Sequence, residues 1–258
     1  MNKLFLHYIK KYTFHPYELI IIDNASKDGS ANFFKDNGAK VIENQANYSY
    51  PYSQNQGIRI AKYNWYAFLN NDIIVAPAWD RLLIESANKH NLDIVSPCGI
   101  EQLETKEITK KIRRRWNWIK NPLLFFFGSP LWNLKLMHRL MYSDWEEFCR
   151  QRASEHGSQI MEGMIGHSII MNKIALDKVG FWDERIQSAD WDLVKRTNHR
   201  KMTNNDISSV HICLDVFHHH FGRLTYKSKH TPFADASNHI SLNEKWHKKF
   251  NNIETIVE

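Results

Sequence analysis

The side chains best suited to chemistry in this sequence are acidic and stand at the ends of short apolar runs. Tyr66-Ala67-Phe68-Leu69 runs into Asn70-Asn71-Asp72, and Glu18-Leu19-Ile20-Ile21-Ile22 runs into Asp23. Runs of this length suit buried strands, and in open α/β sheets ligands collect beyond the carboxyl ends of the strands. Asn and Asp are also common turn residues, so one such run alone reads as a loop. The repetition of the form favours a site. On neighbouring parallel strands Asp23 and Asp72 would meet at one rim, where two carboxylates repel unless a cation or hydrogen-bond donors stand between them.

Two further groups carry chemistry. His218-His219-His220 follows an apolar run, and because alternate side chains of a strand point oppositely, at most His218 and His220 share a face. Asp190 and Asp192 fall in the first turn of a helix that Ser188 would cap, where acidic residues are at home beside the positive end of the dipole.

Helical spacing at Leu4, Phe5, Tyr8, Ile9 and Tyr12 predicts an opening amphipathic helix. The strand to Asp23 follows, then a tight turn at Asp28-Gly29 and a helix capped by Ser30 and stopped at Gly38. Residues 44–52 read as a polar aromatic loop able to face a ligand, and Ser53 to Gly57 lead into the next helix. Within that lead Asn55 and Gly57 stand out, since glycine permits close backbone approach. After the strand Trp65–Leu69, Pro77 opens a helix through Ala87, and Asp93 to Ser96 form a strand that ends at Pro97. The regular pattern resumes at Glu162 to Gly166 with an apolar run from His167 to Met171, followed by helices from Lys173 to Val179 and after Ser188, a strand from Ile207 to Cys213, and a basic amphipathic helix over 238–250.

Between 101 and 159 the pattern changes. Lys110, Lys111, Arg113, Arg114 and Arg115 flank Trp116 and Trp118, and an apolar segment rich in Phe and Leu follows. One reading is a surface for an anionic membrane, the other a helical insertion packed on the core. The chain thus divides into residues 1–100, an insertion over 101–159, and 160–258.

A chain of 258 residues is long enough for a full core, and nine Trp suit a packed domain. A net charge of +6 with fourteen His favours anionic partners, although no nucleic-acid motif accompanies the basic segment. Cys98, Cys149 and Cys213 are too few and too widely spaced for a disulfide framework or a zinc site, and a reducing cytoplasm fits them. The apolar run Leu123 to Phe127 is far too short to span a bilayer.

Five segments in order, ELIIIDNASKDGS, Asn55-x-Gly57, YAFLNND, VGFWDE to ADWDL, and HHHFG, resemble the motifs of family-two, GT-A-type glycosyltransferases. The resemblance covers most of the chain outside the insertion. It implies an α/β, Rossmann-like, mostly parallel sheet flanked by helices, a nucleotide-sugar donor linked to UDP or dTDP, Mn2+ or Mg2+, and inversion at the sugar carbon. It also implies a glycan or lipid-linked acceptor, work in the cytoplasm or at the cytoplasmic face of a membrane, and a part in envelope polysaccharide synthesis. Residue by residue, Asp23 matches the acid that reads the base or ribose, and Asn24, Ser26 and Asp28 lie in the same donor loop. Asn55 and Gly57 match a further donor segment. Asp72 matches the metal-binding acid with Asn70 and Asn71 before it, His220 the later metal or diphosphate ligand with His219 its nearest competitor, and Asp190 the catalytic base, with Ala189 where the family usually has Glu. The family's opening strand has no counterpart before the first helix, which leads us to expect an exposed sheet edge with poor solubility or self-association. A catalytically silent module that binds nucleotide sugars is the alternative reading.

Overall fold

The computed structural model describes residues 1–222, 224 and 231–246. In chain order the elements are α1 (Asn2–Tyr12), β1 (Ile20–Asn24), α2 (Ser30–Asp36), β2 (Lys40–Asn44), α3 (Tyr50–Ile60), β3 (Trp65–Leu69), β4 (Ile73–Ile74), α4 (Trp79–Lys89) and β5 (Ile94–Gly99). They continue with α5 (Lys106–Phe127), α6 (Leu131–Tyr142), α7 (Trp145–His156), β6 (Ile160–Glu162), β7 (Ser168–Asn172), α8 (Lys173–Val179), α9 (Ala189–Asn204) and β8 (His211–His220). The chain packs into two compact units that interleave in sequence. One comprises Met1–Pro16, Ala67–Asn172 and Ile207–Ser228, and the other Tyr17–Tyr66, Lys173–Asp206 and Lys229–Glu258.

The first unit is built on a six-stranded sheet ordered β3-β7-β5-β8-β4, with β6 also paired to β8. Strands β5 and β8 run parallel at its centre, while β4, β6 and β7 join them antiparallel. Strand β8 is buried over nearly its whole length although Asp215 and His218 to His220 interrupt its apolar run. The buried face of α1, Leu4, Phe5, Leu6 and Ile9, serves this unit.

Three local expectations need correction. The strand after Asp93 does not stop at Pro97 but runs on to Gly99, because its register with β8 slips between Pro97 and Cys98, where proline's missing donor costs little. Strand β8 extends through all three histidines rather than ending at Cys213. In the second unit α2 starts after Gly29, whose left-handed φ of 79° turns the chain, so Ser30 lies inside the first turn and does not cap it.

In the second unit β1 and β2 pair in parallel as a sheet of their own, and among the described residues β1 pairs with no other strand. Asp23, within β1, and Asp72, in the turn between β3 and β4, therefore belong to different sheets, not to neighbouring strands of one. Proximity in sequence and a shared apolar form do not by themselves set strand pairing. Helix α3 begins at Tyr50, with Pro51 in its first turn, so the polar aromatic loop ends earlier than expected. The expected helix over 238–250 is described only as a short turn at Ala236–Asn238 and a helical stretch over 242–246; Phe250 lies outside the described residues.

The insertion is helical. Thr105 caps α5 by accepting from the backbone of Ile108 at 3.2 Å, and Asp144 caps α7 by accepting from Glu147 at 3.0 Å. Pro122 sits inside α5. Trp116 is the buried anchor of that helix, its ring meeting His219 edge-on at 4.3 Å and Phe221 at 5.5 Å. Truncation to Ala should cost about 3–5 kcal/mol in urea unfolding through the cavity it leaves. Trp116→Phe should cost far less, since the indole N–H has no hydrogen-bond partner and its loss removes a buried orphan.

Candidate functional site

In the first unit Asp72 and His220 meet because the β4–β8 ladder pairs Ile73 with His220, and Phe221 N donates to the carbonyl of Asp72 at 2.9 Å. The imidazole of His220 is held at both nitrogens, Nε2 lying 3.1 Å from Asp72 Oδ1 and Nδ1 2.7 Å from Glu101 Oε1. Glu101 follows the end of β5, and His167 immediately precedes β7. His167 Nε2 lies 3.3 Å from Glu101 Oε2, and the His167 and His220 rings stand 4.7 Å apart. The backbone of Asn70 donates to the carbonyl of His167 at 2.9 Å, which ties the end of β3 to the same cluster. Asn71 donates its amide to Asn2 Oδ1 at 3.0 Å.

The charges here depend on one another. Burial works against the charged form of His220, but the hydrogen bonds to Asp72 and Glu101 outweigh it and raise the imidazole to about 9. Burial likewise pushes the Glu101 carboxyl up, while His167 and His220 more than offset this and hold it well below the usual carboxylate range.

Donor atoms of Glu101, His167 and His220 lie within 4.8 Å of one another. Ligands about 2.0–2.2 Å from a common ion would stand slightly closer than this, so a small inward movement seats a cation. Two observations support the fit. Glu101 Oε2 and both ring nitrogens of His167 are buried without a hydrogen-bond partner of good geometry. Gly99 also leaves the space open, since a Cβ there would meet Glu101 Oε2 at 3.0 Å and His167 Nε2 at 3.1 Å. His219 points the other way: Tyr142 Oη lies 2.8 Å from its Nδ1, Trp116 packs against its ring, and burial keeps it neutral.

In the second unit Asp23 is buried and Oδ2 accepts from the backbone of Ser26 at 3.0 Å, folding the loop after β1 back on itself. Ala25 holds a left-handed φ of 59° in that loop. Asp28 Oδ1 accepts from the Ser30 hydroxyl and backbone, and these bonds lower its carboxyl below the usual range. Asn24 is largely committed within the protein, giving its amide to Tyr48 O and Ser53 Oγ and accepting from Asn44 at 2.8 Å. Asn55 is buried with its amide shared between Trp182 O and Glu184 Oε1, while Oδ1 accepts from Trp182 N at 2.9 Å. Gly57 lies inside α3, where a Cβ would make only ordinary contact with Ile20 and Ile22 of β1. These two residues position α3; they do not line a loop.

Asp190 and Asp192, two apart on α9, point to nearly opposite sides of the helix. Asp192 is fully buried and bonded to Arg196, Lys245 and Trp246. Asp190 is half-buried, with Oδ1 accepting only from the backbone of Trp191 at 2.9 Å among its described hydrogen bonds. Burial, aided by the charge of Asp190, pushes the Tyr50 phenol up, and Tyr50 Oη is itself buried without a partner. Glu101 and His167 are the site residues that sequence reasoning missed.

Helices around a mixed sheet, with carboxylates and an imidazole gathered at strand ends, define a GT-A-type α/β architecture. The crystal structure of GalNAc-T7 with UDP, GalNAc and Mn2+ shares this fold at a TM-score of 0.52 and 15% identity, over 83% of this chain and 40% of that one. The chain belongs to glycosyl transferase family 2, whose profile matches residues 4–148. Mannosyltransferase PcManGT from Pyrobaculum calidifontis in complex with GDP-Man and Mn2+ is similar over 83% of this chain and 54% of its own, with 13% identity and a TM-score of 0.46. S. aureus TarS 1-349 gives 12% identity and a TM-score of 0.45 over 83% and 57%. This chain therefore spans between about two fifths and three fifths of these structures. No curated protein matches it.

Proposed function

We propose that this chain is an inverting glycosyltransferase that moves a sugar from a nucleoside-diphosphate donor, UDP- or dTDP-linked, to a hydroxyl of a glycan or lipid-linked acceptor at a membrane face. The observation that carries the reading is the cluster of Asp72, Glu101, His167 and His220, in which donor atoms of the last three lie within 4.8 Å of one another. Asp72, Glu101 and His167, with His220 once it has given up a ring proton to the incoming ion, would hold a divalent cation, which would neutralise negative charge developing on the leaving diphosphate. Two imidazoles among oxygen donors suit Mn2+ better than Mg2+. Asp23 reads the nucleoside, and the loop carrying Ser26 and Asp28 frames it.

Asp190 accepts the proton of the acceptor hydroxyl as that oxygen bonds to the sugar carbon and the bond from that carbon to the diphosphate oxygen breaks. No second carboxylate is assigned as a nucleophile, so a single displacement with inversion follows. The test is release of nucleoside diphosphate from a donor panel with Mn2+. Nucleotide binding without transfer to any acceptor would favour the silent module.

The cation site has its own check. Mn2+ at a hundredfold excess over its Kd should stabilise the folded protein by about 2.7 kcal/mol. Glu101→Gln and Gly99→Ala should each abolish that rise in Tm, the first by removing a ligand and the second by filling its space. A full Mn2+ response in both variants would remove Glu101 from the site.

A further inference from the structure

The insertion carries a surface that the transfer chemistry does not use. Between Ile108 and Ser143 the sequence has eight Lys or Arg and no Asp or Glu. This stretch forms α5, a short turn and α6, and the turn is fixed from inside by Asn133, whose amide donates to Leu123 O at 3.0 Å and Gly128 O at 2.7 Å. Its large apolar side chains point outward: Trp118 is 85% exposed, Phe125 72%, Phe126 73% and Trp132 54%.

The helical period explains how one segment both packs and exposes apolar groups. On α5, Lys111, Arg114, Trp118 and Phe125 fall within an arc of about 60°, opposite the buried Trp116. On α6, Trp132, Leu136 and Leu140 share the outer side with Lys135 and Arg139, while Leu134, Met137 and Met141 face the core. Both outer stripes thus interleave aromatic and aliphatic groups with cations. A soluble surface seldom shows contiguous large apolar groups without a partner.

We propose that the outer face of the α5–α6 hairpin docks on an anionic lipid bilayer, with Trp118, Phe125, Phe126 and Trp132 entering the headgroup boundary and the Lys and Arg side chains pairing with lipid phosphates. The single sign of charge and its spacing among aromatics choose this occupant, because a protein partner offers acids at fixed points whereas a bilayer offers a continuous anionic plane above hydrocarbon. Among the described residues no helix is long and apolar enough to cross a membrane, so the contact is peripheral. Its use in bringing the enzyme to a lipid-linked acceptor rests on the proposed transfer function; the docking itself does not.

Flotation of the full chain with vesicles tests this. The protein should float with equimolar phosphatidylcholine–phosphatidylglycerol vesicles, stay in solution with phosphatidylcholine alone, and be released in part by high salt. A basic residue at such a surface is worth about fivefold in partitioning, so K111Q/R114Q/K135Q should bind about a hundredfold more weakly. W118S/F125S/F126S should lose quenching of Trp fluorescence by lipids brominated in the acyl chains. All six positions are exposed, so far-UV circular dichroism and Tm should match the parent, and Lys195→Gln with Lys201→Gln on α9 should bind vesicles as the parent does. Absence of flotation with the anionic vesicles, parental binding by both triple variants, or retention on soluble polyanions such as RNA without vesicle binding would overturn the proposal. Asp190→Asn should float normally, so a failed transfer assay and a failed docking assay remain distinguishable.

Discussion

Asp190→Asn should slow sugar transfer by about 10²–10⁴-fold while leaving donor affinity and fold intact. The carboxylate is half-buried, and the hydrogen bond from Trp191 N to Oδ1 is one that an Asn oxygen accepts equally well. What the substitution removes is the basicity needed to take a proton from the acceptor hydroxyl, together with a favourable charge at the start of α9 worth about 0.3–1 kcal/mol. Steady-state kinetics with saturating donor and Mn2+, beside a melting curve, separate the two effects. A variant that keeps its parental rate would remove Asp190 from the chemistry, whereas a rate lost only with the melting transition would make its role structural.

Two residues along the helix the balance reverses. Asp192→Ala should leave the chemistry untouched at low temperature but cost about 3–5 kcal/mol of stability, a large share of the roughly 5–15 kcal/mol that holds a domain together. Its carboxylate is fully buried and accepts from Arg196 Nε at 2.8 Å and Trp246 Nε1 at 3.0 Å, with Lys245 Nζ 2.6 Å away. Lys245 retains Asp183 at 2.8 Å, which places the loss toward the lower end of the range. Urea unfolding measures it, and a change under 1 kcal/mol would show that apolar packing anchors α9. The neighbouring Asp183 carries an acid dependence of its own. The Arg185 hydrogen bonds lower the Asp183 carboxyl, and Lys245 adds to this against the opposing effect of burial. A depressed folded value means that the stabilisation is complete above the unfolded carboxyl value of about 3.9 and is lost as pH falls through the folded one.

How much of this was legible in the sequence depended on the kind of signal. An apolar run ending in an acid led to Asp23 and Asp72, and the same form recurs at Ile94 to Glu101. It was missed because Pro97 reads as a strand terminator, and only the slipped register with β8 shows how a proline passes through the sheet. His167 gave no signal, since one imidazole before an apolar run is ordinary until the fold brings β7 beside β5. The two-residue period of a strand correctly set His220 apart from His219, but it could not show that His218 is buried against Trp79. Strand pairing was the weakest inference: the form of a run predicts a strand but not its neighbour, and β1 joins β2 in a separate sheet. Likewise the basic aromatic stretch showed its composition plainly, while its outward orientation emerged only from the packing of α5 and α6.

Pro122 in α5 has a mechanical consequence. Lacking an amide hydrogen, it cannot bond to the carbonyl of Trp118, and a proline ring crowds the oxygen four residues before it. The final turns that bear Phe125 and Phe126 are therefore joined to the rest of the rod by one fewer rung and lean on the Asn133 amide, which holds Leu123 O and Gly128 O. Amides beyond residue 122 should accordingly trade hydrogen for deuterium sooner than those around Trp116.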